Sequence, residues 1–168
     1  MVQHGRPTLT HMGIFVEDVD VMMDFYQRVI AVKSIDRRNE DQQKAEIIFP
    51  GNDVEIQHQF ILVTERPEDA EFGVTHQASF RVDSIDELRE IAVRLGGENI
   101  RDLEAKDHGD VWSLYFRDPE GNLLEIYVTT PWQVEQSYAY EFDLNKPTDE
   151  IIADSRKLVD ALSRQVRA

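Results

Sequence analysis

One carboxylate and two imidazoles raise the question of chemistry in this chain. Glu125 stands in an otherwise apolar run, Leu123-Leu124-Glu125-Ile126-Tyr127-Val128. Burying an unpaired carboxylate is very costly, so such a residue faces water or meets a cation. His11, in LTHMGIFV, and His76, in VTHQASFRV, lie in comparable strand-like settings. We expect His11, His76 and Glu125 to converge on one divalent metal.

The elements that must position these residues are legible in the hydropathy pattern. Val111 to Val128 reads as a β-hairpin. Its two apolar, alternating runs flank Asp118-Pro119-Glu120-Gly121-Asn122, where Pro presets a turn dihedral and Gly tolerates positive φ. Residues 1–7 read as a polar leader. Leu9 to Val16 reads as a strand, Asp18 as an N-cap, and Val19, Met22, Met23, Tyr26, Val29 and Ile30 give helical spacing. Ile47 to Phe49 and Val54 to Thr64 read as further strands, and Arg66 to Phe72 as a polar linker. The order then recurs. Val74 to Val82 reads as a strand, and Ser84 with Glu87 forms a capping box. Ile85, Leu88, Ile91, Ala92 and Leu95 make an apolar face that Gly96-Gly97 ends. His11 and His76 are 65 residues apart, while VEDVD (16–20) and VDSID (82–86) match at an offset of 66. This points to a duplicated β-α-β-β-β unit. A doubly wound parallel sheet would need a helix after nearly every strand, and the pattern lacks them.

Composition bounds the partners. At 168 residues the chain suits one domain, with modules at about 8–64 and 74–129 and an extension at about 130–168. A net charge of −15, with no cluster of Lys and Arg, argues against nucleic acid and against anionic membrane surfaces. The absence of cysteine excludes a thiolate nucleophile and Cys-based zinc. No apolar run approaches a membrane span, and a cytoplasmic location is expected. In the extension, Asp149 to Val166 reads as an amphipathic helix built on Ile151, Ile152, Leu158, Val159 and Leu162. It packs either on its own chain or on another subunit.

THMGIFV before an Asp-capped helix, THQASFRV, and FRDPEGNLLEIYV together resemble the vicinal oxygen chelate superfamily over roughly residues 8–130. That superfamily includes glyoxalase I, fosfomycin-resistance proteins, bleomycin-binding proteins and type I extradiol dioxygenases. The resemblance implies an α+β fold of two βαβββ modules forming a cupped mixed sheet around a metal, plus the C-terminal helical extension. His11, His76 and Glu125 would be the metal ligands. Two imidazoles and a carboxylate on one face of an octahedral ion leave adjacent positions open, as in non-haem Fe(II) oxygenases. Fe(II) is therefore the expected metal, with Mn, Ni or Zn as the other candidates.

The same resemblance assigns chemistry to three more residues. QHQFILV is similar to the extradiol stretch that carries an acid–base histidine, with Gln57 replacing its first His and His58 retaining its second. Imidazole suits that role because it exchanges protons near neutrality. Tyr115, ten residues before Glu125, would steady the substrate oxyanion, and His108 would stand at the pocket rim. The implied reaction is extradiol cleavage of a catechol-type diol by O2, in aromatic breakdown. The expected partners are that small aromatic substrate, dioxygen, and further copies of the chain in a homodimer or higher homo-oligomer. Two alternatives stay open. A glyoxalase- or fosfomycin-type enzyme would use Glu55 as a fourth ligand, and a bleomycin-sequestering type would bind its ligand without metal.

Overall fold

The computed structural model describes residues 11–30, 34–36, 44–50, 57–63, 76–98, 100–134 and 138–166. The leader, His4, Glu55 and the 66–72 linker lie outside them. The chain divides into two compact units, Met1–Val74 and Thr75–Ala168.

The first unit runs β1 (His11–Phe15), α1 (Val19–Ile30), β2 (Ser34–Asp36), β3 (Lys44–Pro50) and β4 (Gln57–Val63). Its strand order is β1-β4-β3-β2, with β1 parallel to β4 and the other pairs antiparallel. Asp18 caps α1 as its spacing requires, accepting from the amides of Asp20 at 2.9 Å and Val21 at 3.0 Å. The helix buries Val19, Met22, Phe25, Tyr26 and Val29, and lies against β3 and β4. Ile14, Val16 and Leu62 are buried as well. Phe15, one residue out of that alternation, is 49% exposed.

The second unit repeats the plan: β5 (Ala78–Arg81), α2 (Ile85–Gly96), β6 (Arg101–Asp107), β7 (Val111–Arg117) and β8 (Leu123–Thr129). It then adds β9 (Tyr140–Glu141) and α3 (Thr148–Val166). The strands form one mixed five-stranded sheet, order β5-β8-β7-β6-β9, in which only the β5–β8 pair is parallel. The Ser84 cap forms: Ser84 Oγ accepts from the Glu87 amide, while the Glu87 carboxylate reaches one residue further back than a full capping box and accepts from the Asp83 amide. Ile85, Leu88, Ile91 and Leu95 are buried, as are Leu114, Phe116, Leu124 and Ile126 on one phase of β7 and β8. Each such side chain contributes roughly 1.5–3 kcal/mol by leaving water.

The β7–β8 turn is organised by Asp118, which is 3% exposed. Its carboxylate accepts from the amides of Glu120 and Asn122 and from the Asn122 side chain, while Gly121 takes φ +88°. The register that results sets Tyr115 directly opposite Glu125.

The hydropathy reading passes over β2, β6 and β9. The β6 sequence, RDLEAKD, is charged at most positions and exposed along its first half, so burial leaves no alternation to read. The extension packs on its own unit. Trp112 Nε1 donates to Ser155 Oγ at 2.8 Å, and Ser155 in turn donates to the buried Asp107 carboxylate. Arg89 of α2 donates to the carbonyls of Leu144 and Lys146 and to Thr148 Oγ1. Ile151, Ser155 and Val159 form the buried face of α3, whereas Ile152 is 39% exposed. Among the described residues no helix is long and apolar enough to cross a membrane.

Candidate functional site

Strand alternation divides the second unit's sheet into two faces. Trp112, Leu114, Phe116, Leu124 and Ile126 share the buried phase; Ser79, Ser113, Tyr115 and Glu125 share the other. Glu125 is nonetheless only 8% exposed. Its burial is offset by four neutral donors. Oε1 accepts from Ser113 Oγ at 2.7 Å and Tyr115 OH at 2.6 Å. Oε2 accepts from Ser79 Oγ at 2.6 Å and Gln77 Nε2 at 2.8 Å. The second amide hydrogen of Gln77 goes to Ser79 Oγ, so the amide and the hydroxyl brace each other. Water or a cation is the expectation for a carboxylate in this strand; hydrogen bonding from four side chains meets the same cost a third way.

Burial alone would raise the Glu125 pKa. The bonds from Ser79, Tyr115 and Ser113, with the charge of His108, hold it below the ordinary glutamate range, so the group is a carboxylate. Tyr115 shifts the opposite way: burial first, then its bond to Glu125 and that anion's charge, push the phenol well above the usual tyrosine value. It stays protonated.

The chain of contacts continues outward. Tyr115 OH lies 3.0 Å from His108 Nε2, and His108 Nδ1 lies 2.6 Å from the Tyr138 carbonyl oxygen. A carbonyl only accepts, so Nδ1 carries a hydrogen. The single phenol hydrogen goes to the Glu125 carboxylate, which leaves the Tyr115 oxygen to accept from Nε2. The neutral phenol of Tyr115 thus joins the His108 ring to the Glu125 carboxylate. Lys106, opposite Ser113 on the next strand, adds a cation near this face and is paired with Glu104 at 2.7 Å.

Of the remaining sequence candidates, His76 lies in this unit, and His11 and His58 in the other. His76 is exposed and precedes β5; the residue that reaches Glu125 from there is Gln77. The signal lies in the repeat, since an offset of 66 matches His11 to Gln77, not to His76, and one residue of slip changes the face of a strand. His11 opens β1 opposite Gln59, and His58 pairs with Phe49 in β4. Both belong to the first unit. In that unit, the register place corresponding to Glu125 is held by Ile61, opposite Gly13 as Glu125 is opposite Ser79. Composition gave no reason to single out Gln77, Ser79 and Ser113. Their phase is the only trace they leave, Gln77 and Ser79 one and three residues after His76 and Ser113 two before Tyr115.

A divalent metal fits this donor set poorly. Each Glu125 oxygen already accepts two hydrogen bonds, and Gln77, just before β5, presents an amide N–H to the carboxylate where a ligand would present a lone pair. Among the described residues no group of three or more His, Cys, Asp or Glu is arranged to hold a metal.

With this geometry in place, comparison with known proteins gives the class. The chain matches the Glyoxalase/Bleomycin resistance protein/Dioxygenase superfamily over residues 8–126 and belongs to it. A glyoxalase/bleomycin resistance protein/dioxygenase domain from Frankia sp. EAN1pec is similar at 20% identity and TM-score 0.61, covering 77% of this chain and 96% of that one. A glyoxalase/bleomycin resistance protein/dioxygenase from Nocardioides is 20% identical with TM-score 0.56, covering 79% and 93%. A lactoylglutathione lyase from Agrobacterium tumefaciens is 16% identical with TM-score 0.54, covering 74% and 96%. At these identities the likeness concerns the fold. No functionally curated protein matches the chain. The superfamily includes enzymes, and its members often bind divalent metals.

Proposed function

We propose that this chain is an enzyme that moves a proton on a small molecule carrying adjacent oxygens, and that it does so without a metal held by a His-His-Glu set. The observation that carries the reading is the Glu125 carboxylate, saturated by Gln77, Ser79, Ser113 and Tyr115. In this reading Glu125 anchors the phenol of Tyr115, and Tyr115, half-buried, meets the substrate. As the phenol gives its proton to a substrate oxyanion, its oxygen takes one from His108 Nε2. Water takes the carbon-bound proton, the substrate oxygen gains the one from Tyr115, the protonated His108 ring becomes neutral, and tyrosinate never forms. The raised Tyr115 pKa favours this relay over a charged phenolate.

The test is solvent deuterium exchange into hydroxyacetone, followed by NMR with protein treated with EDTA. Exchange that persists after chelation and falls at least tenfold in Tyr115→Phe supports the reading; exchange that needs added metal overturns it. Metal titration by calorimetry gives an independent arm. Wild type is expected to bind Fe(II), Mn(II), Ni(II) and Zn(II) weakly, and Gln77→His to bind them at least tenfold more tightly.

A second reading keeps the extradiol activity, with Fe(II) as the metal. The Tyr115–His108 contact favours it, because the resemblance places that pair beside the substrate. It requires Gln77 and Ser79 to release Oε2. Stoichiometric iron in protein purified without chelator, with catechol-dependent oxygen uptake, decides for it. Assembly as a homodimer or higher homo-oligomer is also proposed and is checked by light scattering.

A further inference from the structure

We infer that the C-terminal extension completes this site: the main-chain carbonyl of Tyr138 fixes His108 as a hydrogen donor at Nδ1 and so aims Nε2 at Tyr115. The inference rests on the acid–base reading above for its functional meaning, and on local geometry for its existence. His108 lies in the short turn between β6 and β7, and the extension grips that turn from several directions. Tyr138 takes the Nδ1 hydrogen at 2.6 Å. Gly109 has φ +89°, and a Cβ there would sit 2.6 Å from Val134 Cγ1 and 3.0 Å from Tyr138 Cε1. Only a glycine lets residues 134 and 138 lie this close to the turn. Thr130 Oγ1 donates to the Gly109 carbonyl at 2.6 Å. The Gly109 amide donates to Asp107 at 2.8 Å, and Asp107 is held in turn by Ser155 of α3.

Chemistry supplies the consequence. A neutral imidazole carries one hydrogen, and an acceptor that cannot donate chooses which nitrogen bears it. With the Tyr138 carbonyl in place, loss of a proton can come only from Nε2, the nitrogen facing Tyr115. Without it, the ring is free to keep its hydrogen on Nε2 or to turn away. Tyr138 is therefore a positioning residue acting through its backbone, and the extension is part of the proton path and not only a cover for the core.

Long-range 1H–15N NMR of the full-length chain, labelled at histidine, reads the tautomer of His108 directly. The expected result is a hydrogen on Nδ1 in the neutral form. A bare Nδ1 overturns the inference. Gly109→Ala should push Val134 and Tyr138 off the turn and move the neutral ring toward the Nε2–H form. Thr130→Val, a milder change should the first variant not fold, should give a mixture of the two tautomers. An unchanged Nδ1–H signal in a folded Gly109→Ala protein also overturns the inference. The two readings separate cleanly. Exchange into hydroxyacetone that ignores Tyr115→Phe while Nδ1–H persists sinks the acid–base function and leaves the hold on His108. A bare Nδ1 with Tyr115-dependent exchange does the reverse.

Discussion

In the first unit Gly13 stands opposite Ile61 on the parallel β1–β4 pair; in the second, the corresponding β5–β8 pair sets Ser79 opposite Glu125. The backbone plan is the same and the contents are not. A Cβ on Gly13 would meet Ile61 at ordinary contact distance, 3.7 Å to its Cβ, so this pair is small and apolar. The Ser79–Glu125 pair is a hydrogen bond of 2.6 Å inside a set of four. A repeat therefore conserves where strands pair without conserving what they hold. A carboxylate is tolerated at the matched position only where hydroxyls and an amide arrive from both neighbouring strands.

The largest test of this contrast exchanges the contents. Ile61→Glu should cost on the order of 3 kcal/mol or more in urea unfolding, since Gly13 offers no hydroxyl to a carboxylate there. Glu125→Leu should cost a similar amount by stranding several donors. A loss below about 1 kcal/mol in both would break the comparison. Next, Ser155→Ala should destabilise by about 1–3 kcal/mol, because it leaves the Trp112 indole N–H and one Asp107 oxygen without their partner. Ser79→Gly, which makes the second unit resemble the first, should cost about 1 kcal/mol by thermal unfolding.

The smallest effect concerns pH. Glu125 has a folded pKa below its unfolded one, so on acidification the unfolded chain takes up that proton first. Its contribution to stability is present at neutral pH and is lost as pH falls through the ordinary carboxylate range toward the depressed folded value. Glu125→Gln should accordingly flatten the fall in melting temperature between neutrality and acid. An unchanged slope would show that the carboxylate is not specially held.

Much of this molecule is written in its sequence. The Asp18 and Ser84 caps, both long helix faces, the duplicated module and the Asp118–Asn122 turn follow from local chemistry. Turn length then sets the Tyr115–Glu125 pair by register alone. The site is less legible because its partners are unremarkable polar residues. Ser79, Ser113 and Gln77 matter through phase, and phase needs the strand boundary to within one residue. The pair His11 and Gln77 was available in the 66-residue offset, but a histidine one position away draws the eye by its chemistry. The strands β6 and β9 carry no burial pattern strong enough to read.

The short strand β9 reaches beyond the site. By pairing Glu141 with Lys106 and Tyr140 with Asp107, and sending the Phe142 amide to the Ala105 carbonyl, it occupies the open margin of β6. An extended segment from another molecule arriving along that stretch meets backbone groups already engaged. The chain supplies its own stopper there, so growth into stacked, fibre-like assemblies is denied a template at this border.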